Sequence, residues 1–239
     1  MSSITLVRHG QASYMEADYD KLSGLGEEQA RKLGQYWVRH KITFDHVFHG
    51  PAKRHIRTTE IAGELVRAAG LPWPEPQRLP DFDEFDAFTM MRIMTPVLAV
   101  SDARVRQLNQ DFQTNRDTPE AGRLLQKLFE EVARQWSSGK FETPDMETWE
   151  QFRARVASAL KVVRDSSGAS ASSVVFTSGG PIAATVGHVL DLNATRTIEF
   201  VWLSRNCSYS QFLFSGERMS LHAFNAIPHF DDLKLFTYR

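Results

Sequence analysis

The chain has 239 residues, of which 42% are hydrophobic and 24% are charged, which is the range of ordinary globular proteins. The 28 Lys and Arg residues nearly balance the 29 Asp and Glu residues, and this excludes bulk attraction to nucleic acid or to an anionic membrane. A disulfide framework is excluded because Cys207 is the sole cysteine. No apolar run approaches the ~18 residues of a membrane span, and the first residues do not have the pattern of a secretory signal, so we expect a cytoplasmic protein.

Short apolar runs alternate with longer amphipathic stretches along the whole chain. In chain order we predict a strand at 4–7, a helix from residue 26, a strand at 45–49, a helix at 51–69, an irregular acidic segment at 71–86, two helices within 88–137, a helix at 147–165, a strand at 173–177, a helix at 181–190, and strands at about 207–214 and 219–225. This alternation predicts a three-layer α/β/α sandwich with a mostly parallel central sheet.

The helical stretch at 88–145 interrupts the strand and helix alternation. We expect it to be an insertion that could form a lid, with Pro96 and Pro119 marking helix breaks or starts. The prediction is therefore a single domain over 1–239 with one helical elaboration.

Polar clusters stand at or just after three of the predicted strands, where ligands bind in sheets of this type. In the first cluster, His9 follows a strand and precedes Gly10, which allows another group to approach the backbone. Arg8 adds a planar donor suited to phosphate oxygens. The pattern suggests attack by a neutral imidazole on phosphorus. The alternative is a structural role, in which His9 only donates a hydrogen bond to a buried backbone carbonyl.

The sequence LVRHGQAS at 6–13, followed by DYDKLSGLGEEQA at 18–30, resembles the opening motifs of the histidine phosphatase superfamily, whose fold is phosphoglycerate-mutase-like. The resemblance implies that His9 is the residue that becomes phosphorylated and that Arg8 is a phosphate ligand.

The family next has a Ser-Pro-Leu-x-Arg-Ala-x-Gln-Thr-Ala segment, and this chain has GPAKRHIRTT at 50–59. The match implies that Arg54 is the second phosphate arginine, whereas the family's serine has become Gly50. Arg57 replaces a glutamine, and it is either a surface residue or an extra contact to the anion. A solvated helix face is the usual alternative for such a charge run.

A phosphatase needs a proton donor for the leaving alcohol, which the family supplies from an acidic loop. Two alignments of LPDFDEFD at 79–86 compete here. One makes Asp81 the acid, and the other makes it Glu84, which we prefer because it keeps the residue type and the Phe-Asp that follows. At least two of the four acids in this segment are expected only to solvate the loop.

The last cluster, VVFTSGGPI at 174–182, departs from the family's strand followed by Ser-His-Gly-Gly. Ser178 stands where the family has a second phosphate-binding histidine. We expect Ser178 and Gly179 to bind phosphate at the amino terminus of a helix. The histidines that could compensate for the missing one, each of them otherwise a packed or surface residue, are His188, His222 and His229.

The resemblance implies a phosphomonoester hydrolase that acts through a phosphohistidine on a small phosphorylated substrate and releases inorganic phosphate. The alternatives are a weakly active or non-catalytic phosphate-ligand binder, which Ser178 motivates, and a phosphoglycerate-mutase-type phosphotransferase. We expect no metal and no cofactor, because no histidine or cysteine pair has metal-ligand spacing. Cys207 is expected to be a small buried residue of an apolar strand.

Overall fold

The computed structural model describes residues 1–13, 20–141, 143–168 and 170–238. The first two residues of the 18–30 motif and residue 142 of the expected insertion lie outside the described residues. The chain forms two compact units, one made of 1–84 with 155–239 and the other of 85–154. The lid role that we expect of the insertion stays a prediction.

The first unit contains a six-stranded sheet. Its strands are β1 (Ser2–Arg8), β2 (His46–His49), β3 (Gln77–Arg78), β4 (Ser172–Thr177), β5 (Tyr209–Ser215) and β6 (Arg218–Ala226), in the order β3-β2-β4-β1-β5-β6. The pairs β1–β4, β2–β4 and β2–β3 are parallel, whereas β5 runs antiparallel to β1 and β6. The expected α/β fold with a mostly parallel sheet flanked by helices is confirmed.

The helices are α1 (Gly24–His40), α2 (Lys53–Ala68), α3 (Ala87–Ser101), α4 (Ala103–Thr114), α5 (Ala121–Ser137), α6 (Trp149–Ser166), α7 (Gly179–Val189) and α8 (Ala194–Leu203). In α1 the hydroxyl of Ser23 accepts from the Gly26 amide and caps the first turn. Leu33 and Trp37 of α1 pack with Val66 of α2 and with residues of β1 and β4 in one core cluster. None of the described helices has the length and apolar character needed to cross a membrane.

The second unit contains α3, α4 and α5, so three helices replace the two that we predicted within 88–137. Asp102 ends α3 and also caps α4, because its carboxylate accepts from the amides of Arg104 and Val105. The prediction that Pro96 breaks a helix is wrong, since Pro96 lies inside α3.

Two further differences concern the carboxyl-terminal part of the first unit. Helix α8 was not predicted, although Asn193 caps its first turn. The prediction that Cys207 belongs to a strand is wrong, since Cys207 lies in a turn before β5 with a φ of 53°. Cys207 is fully buried, as expected.

Candidate active site

The carboxyl ends of three neighbouring parallel strands bring the polar clusters of the sequence together. In the order β2-β4-β1, the strands lead into Gly50, Ser178 and His9. The helix α2 begins three residues after Gly50, and α7 begins directly after Ser178. This edge of the sheet is therefore the candidate active site, as the topology of α/β sheets predicts.

The main chain of His9 is fixed on both sides. Its amide donates to the carbonyl of Thr177 at 2.9 Å, and its carbonyl accepts from the amide of Cys207 at 3.1 Å and from the side-chain amide of Asn206 at 3.3 Å. The ring Nδ1 lies 2.6 Å from the Gly10 carbonyl. Because a carbonyl can only accept, Nδ1 carries the proton and Nε2 keeps its lone pair.

The His9 ring is held neutral. Burial lowers its pKa well below the ordinary value, and the positive charges of Arg54 and Arg8 lower it further, against the opposing contact with the Gly10 carbonyl. Only 5% of His9 is exposed. A neutral imidazole with one unprotonated nitrogen beside two cations has the chemistry of a nucleophile for an anionic phosphoryl group.

Arg8 lies at the end of β1 and reaches toward the last residues of the chain. Its Nη1 donates to the carbonyl of Ser204 and, at 2.8 Å, to the carbonyl of Tyr238. Its Nε lies near the start of α7, since a Cβ placed on Gly179 would be 3.8 Å away. The structure thus places Arg8 close to both His9 and Gly179, two of the other predicted site residues.

Arg54 lies in the first turn of α2, and only 12% of its side chain is exposed. Its Nη1 forms an ion pair with Asp20 at 2.6 Å, and its Nη2 lies 3.4 Å from the hydroxyl of Ser178. The other oxygen of Asp20 accepts from the amide of Lys53 at 2.9 Å. Asp20 therefore caps α2 and orients Arg54 with one carboxylate, a role that we did not predict from the sequence.

The loop after β1 is held by close contacts with α1 and α2. The Gly10 amide donates to the hydroxyl of Thr58 at 3.1 Å. A Cβ on Gly10 would come within 2.4 Å of the Gly26 carbonyl, so this approach requires glycine. The side chain of Gln29 accepts from the Gln11 amide at 2.8 Å. These contacts explain why the glycines and Gln29 of the two opening motifs occur together.

His55 is the site residue that the sequence analysis missed. It is fully buried in the first turn of α2, and its Nε2 lies 2.7 Å from the hydroxyl of Ser178. The rings of His9 and His55 are 5.6 Å apart between centroids. Burial lowers the pKa of His55 well below its ordinary value, and the charge of Arg54 adds to this effect. The available signal was the resemblance to the family motifs, in which serine stands at the position of Gly50, alanine at that of His55 and histidine at that of Ser178.

The acidic loop before α3 approaches the same edge of the sheet. The Glu84 carboxylate accepts from the amide of Gly180 at 3.0 Å, in the first turn of α7. Asp81 is exposed, and its carbonyl accepts from Arg155. Asp83 is half-buried; burial raises its pKa, and the nearby charges of Arg54 and Arg155 oppose that rise. Of the two predicted acids, Glu84 is the one whose carboxylate meets α7.

Arg155 of α6 holds the backbone of this loop. It donates to the carbonyls of Asp81 at 2.9 Å, Asp83 at 2.7 Å and Glu84 at 3.2 Å. The hydroxyl of Thr177 donates to the neighbouring Phe82 carbonyl at 2.6 Å. Neither contact could be read from the sequence, because the partners are far apart along the chain.

The remaining candidates lie away from this cluster. His188 and His222 are exposed, and His229 packs against Tyr209 and Phe230. Arg57 forms surface ion pairs with Glu27 and Glu60. Burial raises the pKa of the Cys207 thiol, which is the environment of an inert cysteine.

Solved structures with the same fold cover nearly the whole chain. A phosphoserine phosphatase from Entamoeba histolytica in complex with 3-phosphoglyceric acid shares 16% identity, with a TM-score of 0.61 over 96% of this chain and 99% of that one. A mycobacterial glucosyl-3-phosphoglycerate phosphatase in complex with inorganic phosphate shares 22%, with a TM-score of 0.60 over 95% and 99%. A phosphoglycerate mutase from Bacillus anthracis shares 13%, with a TM-score of 0.63 over 95% and 94%.

No curated protein matches the sequence. The family model for the histidine phosphatase superfamily (branch 1) matches residues 4–123 and 118–227, which together include the candidate site and nearly all of the sheet. With that match and the shared fold, this chain belongs to branch 1 of the histidine phosphatase superfamily.

Proposed function

We propose that the protein is a phosphomonoester hydrolase that works through a phosphohistidine on His9. The observation that carries this proposal is the state of His9, which is buried, neutral and protonated on Nδ1 beside two arginines. That state leaves Nε2 as the nucleophile. The bound phosphoglycerate and phosphate named for two structural neighbours are in keeping with a small phosphorylated substrate.

In the first step, Nε2 of His9 forms a bond to phosphorus while the bond from phosphorus to the alcohol oxygen breaks. Glu84, in its protonated form, gives its proton to the leaving oxygen. A phosphate dianion at the start of α7 takes the Gly180 amide that Glu84 now occupies, and its negative charge favours the protonated carboxyl group.

In the second step, water attacks the phosphohistidine and Glu84 accepts its proton. The bond between Nε2 and phosphorus breaks, and inorganic phosphate leaves. Arg8, Arg54, Ser178 and the start of α7 at Gly179 stabilise the phosphoryl oxygens in both steps. The loose contact of 3.4 Å between Arg54 and Ser178 is one that a phosphoryl oxygen between the two would replace.

The test compares the wild-type protein with H9A in the hydrolysis of p-nitrophenyl phosphate. We expect H9A to lose at least ~10³-fold in kcat, because the covalent step is removed. Rapid quenching should show acid-labile phosphate on the wild-type protein and none on H9A. The exposed His222 offers a matched control, H222A, with wild-type turnover. Equal turnover of H9A and wild type would refute the proposal.

A phosphate-binding protein without turnover is the second candidate, and Ser178 is the observation that favours it. This side chain is fully buried, and by the resemblance of the motif it offers a hydroxyl where the family has a histidine. Tight binding of vanadate by a wild-type protein that hydrolyses no phosphomonoester would support this candidate.

A further inference from the structure

We propose that His55 is a positioning residue that completes the phosphate site through Ser178. The inference rests on the proposed function, since it assigns the residue that orients one of the expected phosphate donors. Its basis is the contact of 2.7 Å between Nε2 of His55 and the hydroxyl oxygen of Ser178, both fully buried.

The hydrogen-bond partners decide which nitrogen of His55 carries the proton. Nδ1 is buried and has no hydrogen-bond partner among the described residues. A buried N–H without an acceptor is less tolerable than a buried lone pair without a donor. The proton therefore lies on Nε2, and His55 donates to Ser178.

This assignment determines the role of the Ser178 hydroxyl as a hydrogen-bond donor. Its oxygen accepts from Nε2 of His55 and, at 3.4 Å, from Nη2 of Arg54. Because Nε2 of His55 donates to this oxygen, the hydroxyl proton of Ser178 is not used toward His55 and is available to a phosphoryl oxygen, which would replace the longer contact with Arg54. His9 lies on the same edge of the sheet, with its ring 5.6 Å from that of His55. Ser178 is thereby fixed as a donor to an oxygen of a phosphoryl group at His9.

Space for the His55 ring depends on Gly50. A Cβ on Gly50 would come within 2.4 Å of Nδ1 of His55, so any other residue would push the ring away from Ser178. Gly50, His55 and Ser178 are three positions at which the sequence departs from the family pattern, and the fold brings them into contact. Taken together, the three departures replace the family's histidine after β4 with a histidine that α2 supplies.

The same contacts argue against Ser178 as a nucleophile activated by His55. Such a pair needs a third group that orients the histidine and stabilises its charged form. Among the described residues no carboxylate pairs with Nδ1 of His55, and the adjacent Arg54 opposes protonation. The arrangement favours a neutral donor, which suits a positioning role.

The test is a cycle of H55F, S178A and the double variant, measured as kcat/KM for p-nitrophenyl phosphate. We expect S178A to lose about a hundredfold, as for one preorganised donor. H55F keeps a ring but no donor and should lose about tenfold, the effect of one hydrogen bond. In the S178A background, H55F should cost less than about twofold, because its partner is already gone.

H55Q separates orientation from packing, because its amide places an N–H near the position of Nε2. We expect H55Q to stay within about threefold of wild type, whereas H55F does not. H229F is the matched control, since His229 is also buried but contacts Tyr209 and Phe230 instead, and we expect unchanged kcat/KM. Thermal melts identify variants that lose activity by unfolding.

The proposal falls if H55F costs the same factor with and without Ser178, or if H55Q is as impaired as H55F. It also falls if H55F matches wild type. A wild-type protein without turnover would refute the proposed function alone. The same cycle measured as the dissociation constant of vanadate then decides the role of His55, with the same pattern of coupled losses expected.

Discussion

At the scale of single residues, the proposed mechanism gives the two arginines a part in both binding and reactivity. The charges of Arg54 and Arg8 suit a phosphate dianion, and they also lower the pKa of His9, so the nucleophile stays unprotonated. A cationic nucleophile could not attack phosphorus. The site therefore does not need a separate base for His9, and the Gly10 carbonyl is enough to select the reactive nitrogen.

The proposed role of Glu84 as proton donor predicts a dependence on the leaving group. E84Q should lower kcat for an alkyl phosphate such as β-glycerophosphate by about 10²–10³-fold, because an alkoxide needs a proton to leave. The loss for p-nitrophenyl phosphate should be about tenfold or less in the phosphorylation step, since p-nitrophenolate leaves without one. Burst-phase kinetics with the two substrates measure that step.

Asp81 provides the control for this prediction, because it is exposed and belongs to the same loop. D81N should leave both substrates within about twofold of wild type, as for a surface change. If D81N rather than E84Q shows the dependence on the leaving group, the other alignment of the acidic segment is correct.

The sequence predicted those site residues that lie in short contiguous motifs. His9 and Ser178 directly follow strands, and Arg54 lies just after one, so periodicity and a motif were enough to place them at one edge of the sheet. The contact of His55 with Ser178 spans 123 positions. No local pattern encodes such a contact, and it is visible only once the order of the strands is known.

At the scale of elements, helices with a strong apolar stripe were predicted and their junctions were not. The break between α3 and α4 is a single residue, Asp102, which closes one helix and caps the next. The apolar periodicity continues across so short a break, and it therefore predicts one helix where the structure has α3 and α4. Pro96 is exposed inside α3, and the local preference of proline against a helix interior does not end this helix.

The loop that carries Glu84 is positioned by α6 rather than by its own sequence. Three of its carbonyls accept from Arg155, so we expect R155A to release the loop. The loss of these charge-assisted hydrogen bonds should lower kcat for β-glycerophosphate by about tenfold and destabilise the protein by about 1–3 kcal/mol. Steady-state kinetics and urea denaturation measure the two effects.

Arg153 is the matched control on the same helix, where it pairs with Glu150 at the surface. R153A should change the free energy of unfolding by less than about 1 kcal/mol and leave kcat unchanged. If R155A behaves like R153A, the three contacts do not hold the loop in its active position.

At the scale of the whole molecule, the last residues of the chain complete the support of the first strand. Nε2 of Gln29 donates to the carbonyl of Leu235 and to the hydroxyl of Thr237, each at 2.8 Å. Arg8 donates to the Tyr238 carbonyl at 2.8 Å. These contacts could not be predicted from the sequence, because the regular secondary structure of residues 227–238 is limited to one short turn of 3-10 helix.

Histidines that are buried in the uncharged form make the free energy of unfolding depend on pH. His229 allows this effect to be measured, because it is buried outside the candidate site. Burial lowers the pKa of His229 from 6.5 to about 4, so below pH 6.5 the unfolded chain binds a proton that the folded chain does not. The free energy of unfolding therefore falls by about 1.4 kcal/mol per pH unit from this residue as the pH drops from 6.5 toward 4.

The variant H229F removes this contribution, whereas the histidines of the candidate site are present in both proteins, so their contributions cancel in the comparison. Urea denaturation at pH 8 and pH 5 should show the difference between H229F and wild type shifting by about 2 kcal/mol in favour of H229F at the lower pH. An unchanged difference would mean that His229 becomes protonated without unfolding.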